Sequence, residues 1–383
     1  MRLYRSQKLM RPDLQAHIYS DALRSNAAKL KGLCPPGTKM CAVVKANAYG
    51  HGIAEVVNIL KETDVDFFAV SSVFEAIHIL SMLKKQKIFI LEAIHQRLAP
   101  DLVTLIAKRG FHCSIASLEA VDHISTILKG SEQVVDLHVN IETGMGRCGV
   151  DDKYAIELIR KIDECKNTRL AGIYTHFATA DEEDLSYAYR QLDAFNIFLD
   201  KSGIRDRKDV IIHAANSAAT IKIPGAHFDM IRCGISLYGY YSRPMKDAPI
   251  ELDPVIKLQA PIVRLKKIPK GHAVSYGCSF IAQRDTVVAI IPHGYADGYR
   301  RVFSNRAKML IGDKQVNVIG RVCMDQVMVD VTGIGDVRVG QMVTIIDNSR
   351  NSVCGAYALS DIADTICYEI LICIHAHVTK IVH

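Results

Sequence analysis

One lysine in this chain stands where lysines are rare. Met40-Cys41-Ala42-Val43-Val44 is a short apolar run of the kind that forms a buried strand. Lys45 closes it, and the chain then breaks into Ala46-Asn47-Ala48-Tyr49-Gly50-His51-Gly52. Lysines are almost never fully buried without a partner. Partial burial lowers the pKa of the amine, and the neutral amine is the form that condenses with an aldehyde. Composition alone favours the plainer reading, a strand-end lysine that reaches back to solvent, so the amine needs support from other residues. Four other strand candidates place a polar residue at or near their C-terminal end: Asn140, His176, Asn216 and Arg232. A fifth feature, Gly144-Met145-Gly146-Arg147-Cys148-Gly149, matches G-x-G-x-x-G after a strand candidate, with Asp163 and Glu164 downstream. It is a weak dinucleotide signal, because an arginine sits inside the turn and four strand–helix units precede it.

The elements that must position these residues alternate. Strand candidates at Met40–Val44, Asp66–Ser71, Lys87–Leu91, Gly110–Ile115, Val134–Asn140, Leu170–Thr175, Val210–His213 and Asp229–Arg232 are separated by amphipathic stretches such as Val73–Leu80 and Tyr154–Ile159. Strands alternating with helices make a parallel sheet, and a count near eight predicts a (β/α)8 TIM-type barrel, whose chemistry gathers at the C-terminal ends of its strands. The texture changes near Pro244–Pro254. Short β-branched runs follow at Val287–Ile291, Val316–Ile319, Val327–Val331 and Met342–Ile346, which read as a mostly-β module. The expected division is a barrel domain over 1–250 and a β-domain over 251–383.

Composition narrows the function classes. The 383 residues are 49% apolar and 23% charged, ample for a core. A net charge of +6, scattered basic residues and the absence of Trp argue against a nucleic-acid partner. Eleven cysteines without a C-x-x-C pair suggest reduced thiols, the start Met1-Arg2-Leu3-Tyr4-Arg5 leads into no apolar leader, and no run is long enough to span a membrane. These features predict a cytoplasmic protein. No metal is expected, since the histidines lack ligand spacing and His375-Ala376-His377 has no partner cluster.

Read with its neighbours, Lys45 opens a series of motifs that resembles the alanine racemase family of fold-type III pyridoxal phosphate (PLP) enzymes. The series runs Val44–Gly52, Thr143–Arg147, Tyr174–Asp181, Asn216-Ser217, Arg232–Ile235, Val274–Gly277, Gly294–Gly298, Cys323–Gln326 and Tyr368-Glu369, in order along most of the chain. The resemblance implies a homodimer that interconverts L- and D-alanine for peptidoglycan synthesis, with PLP held by Lys45 through a Schiff base. Tyr276 of the partner subunit would be the second base, with Lys45 serving the D-enantiomer and Tyr276 the L-enantiomer; one base on each face moves the α-proton without moving the substrate.

By the same resemblance Arg232 would donate to the pyridine nitrogen, limiting its role as an electron sink, with His176 packed near the ring and bonded to Arg232. The phosphate would be held by Tyr49, Ser217, Tyr368 and the backbone N–H groups of Gly234 and Ile235, with Asn216 a further cofactor-binding residue. Taken singly, Ser217 reads as a helix N-cap and Tyr368 as core. Arg147 and the Met324 backbone N–H would bind the substrate carboxylate, and Tyr295 and Asp181 would narrow the entrance. The chain departs from the family at Asn140, where many members carry a carbamylated lysine that orients the carboxylate-binding arginine; here the Asn140 amide with a bound anion such as chloride is expected to do so. Its ending after Tyr368-Glu369 is also altered, to Cys373–Val378. The alternatives are a broader or serine-specific racemase, a fold-type III decarboxylase and a non-catalytic PLP-binding protein built as a lone barrel, the last opposed by the C-terminal domain carrying Tyr276, Tyr295 and Met324. Arg232 and the Tyr276 motif weigh against the decarboxylase, because decarboxylation profits from a protonated pyridine.

Overall fold

The computed structural model describes residues 11–383 except Lys246; Met1–Arg5 lies outside the described residues. After β1 (Arg11–Ile18), eight strands form one parallel sheet: β2 (Lys39–Val43), β3 (Phe67–Val70), β4 (Lys87–Ile94), β5 (His112–Ile115), β6 (Val135–Asn140), β7 (Thr168–Tyr174), β8 (Ile211–His213) and β9 (Met230–Cys233). Each lies on one of the eight segments expected from sequence. Their order is β8-β7-β6-β5-β4-β3-β2-β9, and the two edges meet where the Asp229 N–H donates to the Ile212 carbonyl at 2.9 Å. The sheet therefore closes into a barrel. Strands covered by helices outside and packed together inside are buried on both faces, as β3, β5 and β6 are along their whole length.

The surrounding helices start where the sequence caps them. Ser72, Ser117, Asp151 and Asn216 each accept a backbone N–H three residues on, satisfying one of the orphan donors of the first turn. The outer cap at Asn216 corrects the single-residue reading of Ser217, which sits one position inside the helix Ser217–Lys222.

The second sheet has nine strands in the order β11-β14-β17-β16-β15-β18-β10-β1-β19. They are β10 (Ile256–Pro261), β11 (Arg264–Ile268), β14 (Thr286–Ile291), β15 (Lys308–Ile311), β16 (Lys314–Val318), β17 (Val327–Asp330), β18 (Met342–Ile346), β19 (Val378–Val382) and the early β1, while β12 (Ala273–Val274) and β13 (Phe280–Ile281) form a separate pair. The sequence reading gave no element before Met40, yet β1 sits inside this sheet, antiparallel to β10 and parallel to β19. Leu14, Ala16 and Ile18 alternate into the core, a period-2 signal too short to stand out alone. Asn26 of the helix Ser20–Gly32 then ties barrel to linker, donating to the Leu237 and Asp253 carbonyls at 3.0 and 2.8 Å and accepting from the Asp253 N–H at 2.8 Å.

The C-terminal part also holds two helices, Ala356–Ala363 and Cys367–Ile372, that the β reading did not include. The second packs on the turn after Lys45 so closely that a Cβ on Gly50 would lie 2.0 Å from the Leu371 carbonyl oxygen. Only glycine fits there.

Candidate functional site

The C-terminal mouth of the barrel opens into a cavity of about 750 Å³. Eleven of the residues singled out from sequence line it: Lys45, Tyr49, Asn140, Arg147, His176, Asn216, Ser217, Arg232, Gly234, Ile235 and Tyr368. They come from the ends of β2, β6, β7, β8 and β9, the loop after β6 and the helix Cys367–Ile372.

Lys45 is presented by an unusual turn. Ala46, Asn47, Ala48 and Tyr49 all have φ between 53° and 54°, a left-handed turn that costs L-residues roughly 1 kcal/mol or more each. Tertiary contacts hold it. The Glu75 carboxylate accepts the Ala46 N–H at 2.8 Å together with the Ser71 N–H and hydroxyl. Asn47 accepts the Ile53 N–H at 3.0 Å. The buried His51 ring sets its Nδ1 at 3.1 and 3.0 Å from the Ala48 and Tyr49 carbonyls, so Nδ1 is the protonated nitrogen and donates to them. Burial drives the His51 pKa down to about 3, outweighing those two hydrogen bonds, so the ring is neutral. Burial also lowers the Lys45 amine pKa, the Arg147 charge lowers it further, and Glu75 opposes both. A fraction of Lys45 is thereby neutral closer to physiological pH than for a free lysine.

Arg232, on the strand β9 that pairs directly with β2, is 4% exposed. It donates through Nη1 to His213 Nδ1 at 2.8 Å and through Nη2 to the Thr175 and Ala214 carbonyls at 2.8 and 3.0 Å, with His176 Nδ1 at 3.3 Å. Burial brings its pKa down to about 10, which still leaves it charged at neutral pH. Burial and the charges of Arg232, Arg147 and Lys45 hold His176 at about 3, so its Nδ1 accepts.

A cluster of hydroxyls occupies another wall. Ser217 Oγ accepts the Gly234 and Ser236 N–H groups at 2.8 and 3.3 Å, leaving its own proton to donate outward. Tyr368 pairs with Ser242 at 2.8 Å. Burial pushes the Tyr49 phenol up to about 12, so it remains a donor. An amine, a buried guanidinium and a set of hydroxyl donors around one cavity fit an anionic aldehyde cofactor.

The other four residues lie elsewhere. Tyr276, Met324 and Tyr295 are 69%, 54% and 41% exposed on the β-domain and do not line this cavity. They are neighbours: the Tyr295 N–H donates to the Cys323 carbonyl, the Ala296 N–H to the Met324 carbonyl, and Ser275 Oγ to the Arg321 carbonyl. Asp181 is half-buried, its carbonyl accepting from Lys222 Nζ at 3.2 Å.

The glycine-rich Gly144–Gly149 segment forms a nest, but the chain fills it itself. The Glu142 carboxylate accepts the Gly144 N–H at 2.6 Å and the Gly146 N–H at 3.0 Å. Burial raises the Glu142 pKa, yet the backbone N–H groups outweigh it and keep the carboxyl ionised. No phosphate can enter, and the segment instead carries Arg147 into the cavity. Sequence reasoning missed Glu75, Glu142 and His213. The Ser72-x-x-Glu75 spacing was a usable signal, since such a glutamate ordinarily reaches back to the helix start.

Comparison with known proteins follows the same two-part division. Family models described as "Alanine racemase, N-terminal domain" and "Alanine racemase, C-terminal domain" match residues 18–242 and 255–382. Relatives include alanine racemases of Halothermothrix orenii, 35% identical over 370 residues covering 96% of this chain and 95% of that one, and of Methanococcus maripaludis, 35% identical over 372 residues covering 96% and 97%. Among solved structures, an alanine racemase of Clostridium difficile 630 superposes with a TM-score of 0.89 at 31% identity over 98% of this chain and 96% of that one. That of Bacillus anthracis with bound L-Ala-P gives 0.88 at 29% over 97% and 95%.

The depressed Lys45 amine has a direct test. Arg147→Met removes one of the cations that disfavour the protonated form, so the Lys45 pKa should rise. The pH midpoint for acylation of Lys45 in PLP-free protein, read by peptide mass mapping, is expected to move to higher pH. An unmoved midpoint would show that burial alone sets it.

Proposed function

The chain belongs to the alanine racemase family, and from that premise we propose how its own residues interconvert L- and D-alanine. The carrying observation is the convergence of the Lys45 amine, the buried Arg232 guanidinium and a wall of hydroxyls on one cavity at the barrel mouth. Tyr49, Ser217, Tyr368 and the backbone at Gly234-Ile235 would hold the phosphate of PLP, with Asn216 fixing the start of the adjacent helix. When bound, PLP supplies an aldehyde that captures the substrate amine and a ring that makes its α-proton labile.

Lys45 moves that proton on one face of the α-carbon, and its lowered pKa leaves a neutral amine to accept it. Arg232 donates to the ring nitrogen and, remaining charged at neutral pH, keeps a full proton off it. His176 backs that guanidinium. Arg147 holds the substrate carboxylate. The Arg147 guanidinium and the Asn140 amide both line the cavity, and among the described residues neither has a hydrogen-bond partner. A chloride between them would orient Arg147 where an amide alone is a weak anchor.

The second face needs a second base. Tyr276, with Tyr295 and Met324 beside it, is exposed on the β-domain. That placement supports a homodimer in which Tyr276 of the partner subunit completes each barrel mouth and the Met324 N–H joins Arg147 on the carboxylate. Tyr295 and Asp181 then narrow the entrance to alanine. The working domains are the barrel over 1–250 and the β-domain over 251–383, with β1 returning to the second sheet. Peptidoglycan synthesis is the proposed destination of D-alanine.

Chiral chromatography of L-alanine and L-serine incubated with the PLP-loaded protein should show rapid D-alanine and little D-serine; equal rates would indicate a broader racemase. In deuterium oxide, Tyr276→Phe should lose α-proton exchange from L-alanine by about a hundredfold or more while retaining exchange from D-alanine. Equal losses from both enantiomers would contradict the assignment of one base to each face. Mixing Lys45→Ala with Tyr276→Phe subunits should restore about a quarter of wild-type activity, because half the dimers are mixed and each has one intact site. No recovery after verified exchange would place Tyr276 in its own subunit's site. With bromide replacing chloride, anomalous scattering should mark one ion beside Arg147 and Asn140; an empty position there would sink the anion.

A further inference from the structure

The interior of a (β/α)8 barrel is ordinarily filled with branched aliphatic side chains. Below Arg232 this barrel holds three buried histidines in line, one each from β5, β6 and β8. Arg232 Nη1 lies 2.8 Å from His213 Nδ1, His213 Nε2 lies 2.9 Å from His138 Nδ1, and His138 Nε2 lies 2.9 Å from His112 Nδ1. His112 Nε2 ends the line 3.5 Å from the Asp136 carboxylate, a charge contact longer than a good hydrogen bond. Arg169 holds the other side of that carboxylate at 2.6 Å.

One fixed donor decides every proton along this line. A guanidinium has no acceptor, so His213 Nδ1 must accept and its Nε2 must carry the hydrogen. His138 Nδ1 then accepts, and the same logic passes to His112, whose Nε2–H faces Asp136. Reversing any ring, or protonating one, sets two N–H groups against each other at hydrogen-bond distance. The cation at one end and the carboxylate at the other polarise all three rings in the same sense. Burial drives the pKa values of all three rings down, consistent with neutral imidazoles. The surroundings are built to the line: Tyr174 stacks on His213 with centroids 4.9 Å apart, Phe89 packs on His138 at 4.5 Å, and a Cβ on Gly172 would lie 2.1 Å from His138 Nδ1.

We propose that His138, His112 and Asp136 are positioning residues for Arg232, acting through His213 as a one-directional hydrogen-bond relay. The relay supplies Arg232 with a neutral acceptor in a single tautomer. Its guanidinium is thereby anchored and aimed, yet its charge is not cancelled by a carboxylate in contact; the nearest carboxylate on the line, Asp136, stands at the opposite end of three rings and is paired with Arg169. The inference rests on the reading that Arg232 serves the cofactor's ring nitrogen, but its first test needs no cofactor.

In PLP-free protein labelled with 15N-histidine, the nitrogen resonances of His112, His138 and His213 should show all three as Nε2–H tautomers. An Nδ1–H tautomer at His138 or His213 would overturn the relay. Asp136→Asn keeps the size of the terminal group and removes its charge, and is expected to shift the His213 nitrogens two rings beyond the nearest imidazole. In PLP-loaded enzyme the same variant should lower kcat several-fold with KM for alanine little changed. A His213 resonance that does not move, or an unchanged kcat, would refute the positioning role, whereas a purely structural loss would lower folded yield without moving the tautomer signals of the folded fraction. Should Asp136→Asn fail to fold, His112→Gln shortens the relay at the same end and carries the same expectations. Absence of racemisation by the wild-type holoenzyme would count against the functional reading and leave the tautomer result standing.

Discussion

A guanidinium buried without a carboxylate is the constraint from which much of this structure follows. Removing a full charge from water is costly unless every donor finds an acceptor. Around Arg232 the acceptors are two backbone carbonyls and two imidazole nitrogens, and among the described residues no carboxylate pairs with it. Each acceptor demands something of the fold. Thr175 and Ala214 must end their strands with carbonyls turned inward, and His213 and His176 must stay neutral. The barrel interior, normally a store of apolar packing, is given over to keeping one cation in place and one cavity wall electropositive.

The second constraint lies at the end of the neighbouring strand β2, where four consecutive L-residues adopt left-handed backbone. Such strain persists only where the surroundings over-determine it, and it gathers at functional sites. Glu75, Asn47 and His51 satisfy the polar groups of the turn, and the helix Cys367–Ile372 closes over it at Gly50. The same helix brings Tyr368 to the cavity. Docking of the C-terminal part therefore does two things: it braces the turn that presents Lys45, and it supplies the Tyr368 hydroxyl beside Tyr49. This gives a physical reason for the two parts to act as one enzyme.

The glycine-rich turn shows how a local pattern can mislead. Its backbone N–H groups do form an anion nest, as the G-x-G-x-x-G spacing suggests. The anion is Glu142, two residues before the first glycine. A nest filled from within its own chain is a rigid mount, and the group mounted here is Arg147.

The sequence by itself determined the alternation of strands and helices, the eight barrel strands, the change of texture near residue 250 and, through motif resemblance, eleven of the residues that line the cavity. These were legible because they rest on local order: periodicity, caps and short motifs written within a few residues of each other. It did not reveal the strand Arg11–Ile18, whose partners are some 240 and 360 positions away, nor the two C-terminal helices. It did not reveal the histidine line either. His112, His138 and His213 fall in three separate strand segments of the sequence, and only closure of the barrel brings their rings within hydrogen-bond distance. Tertiary structure alone decides such contacts, because the free energy of a buried polar group depends on which partner the fold delivers to it and not on its neighbours in sequence.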